Sequence, residues 1–337
     1  MNSIVYKSRF LSSIACMFTR VKNWKFPQEV ERRGKLDIFD YKGVAQPLPK
    51  YYEEILTDNN SFGMGRVLRK YADIQSNHIN SVVEHGYFFG EYVPIQEQLT
   101  FSKQILTFGD VRKAHIEDKI IGKTVIPIGP YIHYATFFYD EEKMIKMKEK
   151  MGKTLLVFFS HAATGCSVSF DVDYIISKIE EIRMDYKTVI VSIFWSDITP
   201  KLVSKLEKHH YIIFSAGHRY DYNFLARQKT IIALADMTMS NNIGTHIAYC
   251  TYMGKPHWIV KQEIEYSSSD EKGEGNMNVI RQIKTDISAA KEKEEIMKIF
   301  SNYSQTLSVE QISVASKYFG FSHIKDPEEM RIILTKI

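Results

Sequence analysis

The chain is short of cysteine, of long apolar runs and of any strong excess of one charge. Its three cysteines, Cys16, Cys166 and Cys250, are odd in number and far apart, which argues against a disulfide framework and offers no paired ligand spacing. The eleven histidines form no His-Glu-x-x-His pattern, so no metal or other cofactor is expected. A reducing, cytoplasmic compartment is the expectation. The longest apolar runs, Thr154 to Phe159 and Val189 to Phe194, fall far short of the roughly 20 residues that cross a bilayer. A net charge of +4 is too mild for a nucleic-acid binder.

What is present fits a globular protein, with 44% hydrophobic and 25% charged residues. At 337 residues the chain exceeds the roughly 250 that one core usually serves, so two α/β domains around a cleft are expected. Nothing in the sequence speaks to oligomeric state. Charge is uneven at the start: Lys7, Arg9, Arg20, Lys22 and Lys25 all precede the first acid, Glu29. Leu11, Ile14, Phe18 and Val21 recur between them at helical spacing, so residues 1–25 suit peripheral contact with an anionic membrane at the inner face of the cell membrane. Ser12 and Ser13 make the segment too polar for a secretory signal.

Residues 1–139 read as an irregular N-terminal domain. Helical pieces lead into three short apolar runs, Ser81 to Glu84, Gln104 to Phe108 and Thr124 to Ile128, each stopped by glycine. Residues 140–153, rich in Lys, Glu and Met, read as a helical connector. Over 154–290 strands and helices alternate as in a doubly wound domain: strands from Thr154, Thr188, Tyr211, near Met237 and from His257, with helices between them. Ser267 to Asn278 reads as a mobile loop, and residues 291–337 as C-terminal helices begun by capping boxes at Ser308 and Asp326.

The densest chemistry is Ser240-Asn241-Asn242-Ile243-Gly244-Thr245-His246, between a short strand and a helix and closed by Gly254-Lys255-Pro256. Free N–H groups and the dipole at such a helix start suit phosphate, although Ser240 and Asn242 also suit plain capping. Ser215-Ala216-Gly217-His218-Arg219 follows another strand, and its glycine, His218 and Arg219 suit the same anion. Arg227 and Lys229 read as solvated helix cations. Trp195 either stacks on a base or packs in the core. Asp171-Val172-Asp173 opens a helix and reads as capping rather than as a metal motif.

The Ser-x-x-x-Gly-Thr-His helix ending in Gly-Lys-Pro resembles the donor segment of GT-B glycosyltransferases, and the run from Gly217 to Pro256 resembles bacterial polysaccharide enzymes of the capsule and lipopolysaccharide type. The resemblance covers mainly residues 150–260. It implies two Rossmann-like domains facing a cleft, a nucleotide-sugar donor held by the C-terminal one, a glycan acceptor on the N-terminal one, and no metal. Ser160 and His161, on the loop that faces the acceptor domain across the cleft, then join Trp195, Gly217, His218, Arg219, Ser240, Asn242, Gly244, Thr245 and His246 in binding the donor. Where many members carry a ribose-gripping glutamate, this chain has Tyr249, which cannot accept from two hydroxyls as a carboxylate can. His85, Glu84 or Asp110, each just after a strand-like run, would take the acceptor's proton. Transfer of a polyol phosphate, or nucleotide binding without catalysis, stays open on the same residues.

Overall fold

The computed structural model describes residues 3–76, 78–163, 165–268 and 270–336. Two parallel sheets form its frame. The first contains β1 (Val82–Val83), β2 (Gln104–Thr107) and β3 (Thr124–Pro127) in that order. Before it run helices Arg9–Lys22, Phe26–Gly34 and Met64–Tyr71, which make up most of the irregular entry. Helix Asp110–Lys119 links β2 to β3 and buries Ile116 against Val82, Ile105 and Val125.

Helix Glu141–Met151, capped by Asp140, leads to β4 (Thr154–Phe158). Then follow β5 (Cys166–Ser169), β6 (Thr188–Ser192), β7 (Ile212–Phe214), β8 (Met237–Ser240), β9 (His257–Ile259) and β10 (Glu265–Ser268). The second sheet is β7-β6-β4-β8-β9, parallel throughout. Both its faces are covered, which is why its strands read as unbroken apolar runs. Leu155, Val157, Val189 and Val191 meet Ile175 and Ile179 of helix Val172–Ile182 on one face. Leu156, Phe158 and Ile190 meet helices Phe224–Leu234 and Thr245–Tyr252 on the other. The expectation of an α/β chain with an irregular first domain and a helical end holds.

One segment differs. The Ser, Glu and Gly-rich stretch expected as a loop forms β10 and helix Glu271–Thr285. β10 pairs antiparallel with β5, and Asp270 caps the helix by accepting from Gly273 N at 2.6 Å. Glu271 and Glu274 complement the dipole of its first turn. Asp171 likewise caps its helix, accepting from Tyr174 N at 2.9 Å.

The chain end returns to the first sheet. Helix Val309–Phe319 closes on Gly320, at φ +68°, whose Cα packs against Gly109 and whose carbonyl faces Gly129, the loops after β2 and β3. Helix Pro327–Thr335 ties back through Arg331 Nε, which donates to Ala72 O at 2.9 Å.

Candidate functional site

The strand order places a topological switch between β4 and β8: the chain builds outward from β4 to β6 and β7, then crosses to β8 and β9. In sheets of this kind the ligand crevice lies at such a switch, beside the loops that leave the carboxyl ends of the strands. Asn241 bridges the two strand ends, its Oδ1 accepting from Ser160 N at 2.7 Å and from Ser160 Oγ at 2.9 Å. Asn241 is 2% exposed, and its Nδ2 has no partner among the described residues. Beside it, helix Thr245–Tyr252 starts from Gly244 with no side-chain cap. Its first-turn amides therefore lack the acceptor that a capping residue supplies.

Several side chains expected on the donor are occupied within the protein. Ser240 is fully buried, donates to Asn242 O at 2.8 Å and lies 3.0 Å from His257 Nε2, while Thr238 Oγ1 holds the other ring nitrogen at 2.8 Å. Ser240 thus fastens β8 to β9 instead of facing a ligand. Asn242 turns its Oδ1 to Ile243 N at 2.8 Å. Thr245 Oγ1 accepts from Tyr87 N at 3.0 Å, so the helix start and the loop after β1 touch. His246 stacks on Phe158 at 5.0 Å, and burial pushes its imidazole down to about 3, so it is neutral at ordinary pH. His161 is exposed, beside Phe194.

The loop after β7 departs further from expectation. Gly217 adopts φ +102°, a conformation that favours glycine, and a Cβ there would also meet Arg227 and the carbonyl of Val44. His218 is buried against Trp195 at 4.2 Å, and its Nδ1 accepts from Tyr220 N at 3.1 Å. Burial, then the charges of Arg33 and Arg219, push it down to about 4, so it brings no positive charge. Arg219 Nη2 donates to Ser61 Oγ at 2.7 Å, tying this loop to the N-terminal domain. Arg227 is fully buried, 2.9 Å from Asp221 and bonded to Ala216 O and Arg33 O. Lys229 donates to the carbonyls of His133 and Ala135. The last two, read as solvated cations, instead hold chain segments together. The half-buried Trp195 keeps an Nε1 with no partner among the described residues.

On the facing side, Glu84 cannot serve as a base. It is fully buried and bound by Arg112, with Nη2 at 2.6 Å and Nε at 3.0 and 3.1 Å, and it accepts from Thr107 Oγ1 at 2.7 Å. Asp110 is exposed and pairs with His323 at 2.9 Å, held by the returning C-terminal segment. His85 remains. Its Nδ1 lies 3.7 Å from Asp58 Oδ2, and its ring packs edge-on to Phe88 at 5.3 Å. Asp58 sits in the turn Thr57–Gly63, which Asn59 fixes to β1 by bonds to Ser81 O and Val83 N. Glu97, on helix Ile95–Leu99, completes the group: one ligand atom from each of Asp58, His85 and Glu97 lies within 4.8 Å of the others. Burial, then the charges of Asp58 and Glu84, push the Glu97 carboxyl far above the usual carboxylate range. No local pattern in the sequence marks Asp58 or Glu97, since the group forms only when segments far apart in the chain pack together.

No protein-family model and no curated protein matches the chain. Among solved structures it is similar to WaaG, a glycosyltransferase involved in lipopolysaccharide biosynthesis, at TM-score 0.33 and 15% identity over 72% of this chain and 66% of that one. It is also similar to Medicago truncatula UGT71G1 complexed with UDP-glucose, at TM-score 0.35 and 15% identity over 71% of this chain and 55% of that one. A UDP-glucosyltransferase from Polygonum tinctorium follows at 0.30 and 9%, over 71% of this chain and 50% of that one. The chain spans between half and two thirds of these proteins' lengths. Likeness this distant leaves function to be argued from the site.

Proposed function

We propose that this protein is a glycosyltransferase that moves a sugar from a nucleotide-activated donor to a glycan acceptor of a cell-surface polysaccharide or lipid-linked chain. One observation carries the reading. The uncapped start of helix Thr245–Tyr252, at the switch of the second sheet, meets the loop that follows β1 of the first, through Tyr87 N and Thr245 Oγ1. Two carboxyl-end loops in contact support the reading that a donor and an acceptor share one crevice, with a helix dipole suited to the diphosphate. The amides of Thr245 and His246, with Asn241 Nδ2, bind the leaving phosphates and stabilise their charge as the sugar departs. Trp195, in the loop after β6 at the same carboxyl side of the sheet, has a ring and an Nε1 without a partner among the described residues, both suited to the nucleoside.

On the acceptor side His85 takes the hydroxyl proton through Nε2, with Asp58 near Nδ1 orienting the ring. No metal enters this step. The basic start of the chain adds a membrane surface as partner. Phe10, Phe18, Val21 and Trp24 are 62–72% exposed, in company with Lys7, Arg9, Lys22 and Lys25. Arg20 is withdrawn from that set, since it donates to the carbonyls of Tyr52 and Glu53.

The test is thermal unfolding with UDP-, GDP- and CMP-sugars, followed by turnover with lipid extract as acceptor. One nucleotide class should raise the melting temperature. His85→Ala should keep that rise and lose about 100-fold or more in turnover. Stabilisation by no donor, or full turnover in the His85 variant, would contradict the respective halves of the assignment.

A further inference from the structure

Two carboxyl groups lie buried next to His85 with oxygens that no hydrogen bond satisfies among the described residues. Glu97 is 0% exposed, and neither of its oxygens has a hydrogen-bond partner among the described residues. Asp58 is 8% exposed, and among the described residues its Oδ2 has no hydrogen bond, only the longer approach of His85 Nδ1 at 3.7 Å. The neighbouring cations are spent elsewhere. Arg112 is satisfied by Glu84 and by Gly90 O, and Lys123 Nζ donates to the backbone carbonyls of Glu97 and Thr100 at 2.9 and 2.7 Å. A buried polar group without a partner costs free energy, so native proteins rarely leave one unsatisfied.

We propose that Asp58, His85 and Glu97 form a binding site for a divalent transition-metal ion, zinc-like in its preference for one imidazole nitrogen and two carboxylate oxygens. Two carboxylates match a dication in charge, and the imidazole turns the set away from magnesium and calcium, which take oxygen ligands. Bonds of about 2.1 Å place ligand atoms roughly 3.4–4 Å apart. The three atoms, all within 4.8 Å of one another, close on an ion by side-chain movements of about 1 Å. The ligands come from a turn, a strand end and a short helix spread over residues 58–97, and Asn59 and the Glu84–Arg112 pair lock the first two in place. An ion on Nδ1 leaves Nε2 as an N–H donor, so the loaded protein has no base at His85. Metal uptake therefore switches transfer off.

The experiment titrates the EDTA-treated full chain with Co²⁺. One equivalent should bind with a visible ligand-field band, and Zn²⁺ should displace it. Glu97→Gln and Asp58→Asn should each abolish the band, and far-UV circular dichroism checks that both remain folded. In the wild type Zn²⁺ should raise the melting temperature by a few degrees, and in Glu97→Gln it should not. Absence of one-to-one binding, or equal binding by both folded variants, overturns the site. Co²⁺ binding needs no sugar donor, so it stands or falls apart from the transferase reading. Where turnover is measurable, zinc should inhibit it and EDTA restore it; zinc-insensitive turnover overturns the switch.

Discussion

Glu84 and Arg112, both fully buried and joined in a bidentate pair, are residues whose loss this molecule tolerates poorly. Removing either partner strands the other's charge in a dry interior. Glu84→Ala or Arg112→Ala should each cost about 3–5 kcal/mol in urea unfolding, far more than a surface pair. The buried imidazoles make a separate case. His218 and His246 are depressed from 6.5 to about 4 and about 3 by burial, so between those values and 6.5 the unfolded chain holds protons that the native one does not. Stability present above pH 6.5 is therefore lost as pH falls toward 4 and below. Melting temperature followed from pH 7 to 4 should drop, and His218→Asn should flatten the upper part of that drop. Sequence alone offered Glu84 as a base because it ends an apolar run. It could not reveal Arg112, 28 residues on, whose burial comes from helix Asp110–Lys119 folding over β1 and β2.

Among elements, the helix ends carry the clearest local logic. Ser308 and Asp326 start their helices with reciprocal capping boxes, and Thr199 caps helix Pro200–Lys208 by accepting from Leu202 N at 3.2 Å. All three are legible because capping is decided within four residues. Gly320 is different: its φ of +68° suits a helix terminus, but a Cβ there would also sit 2.2 Å from Phe108 O, in the loop after β2. Gly320→Ala should destabilise by more than about 1 kcal/mol, through strain and through displacement of helix Val309–Phe319 from the first sheet. Chemical denaturation of that variant is the measurement. Helix Glu271–Thr285 was hidden for the opposite reason. Its glycines suggest a loop, yet Asp270 caps it and β10 anchors it to β5, about 100 residues earlier in the chain.

At the scale of the whole molecule the exposed apolar and basic face of helix Arg9–Lys22 projects away from the core, which holds the helix through Cys16 and Ser12. Co-sedimentation should show the protein on anionic vesicles and not on zwitterionic ones. Phe18→Glu with Trp24→Glu should weaken that binding about tenfold or more, and raised salt should weaken the wild type. Equal binding to both vesicle types would remove the electrostatic part of the assignment. The sequence by itself determined the alternation of the second sheet, the glycine-ended strands of the first and the capped helices, because periodicity and capping act over a few neighbouring residues. Which polar groups are spent and which stay open was decided only by tertiary structure. Ser240, Arg219 and Arg227 are engaged by partners 17, 158 and 194 positions away, and Asp58, His85 and Glu97 meet only once three separate elements pack. Contacts across such spans depend on how layers stack, and no local pattern encodes that stacking.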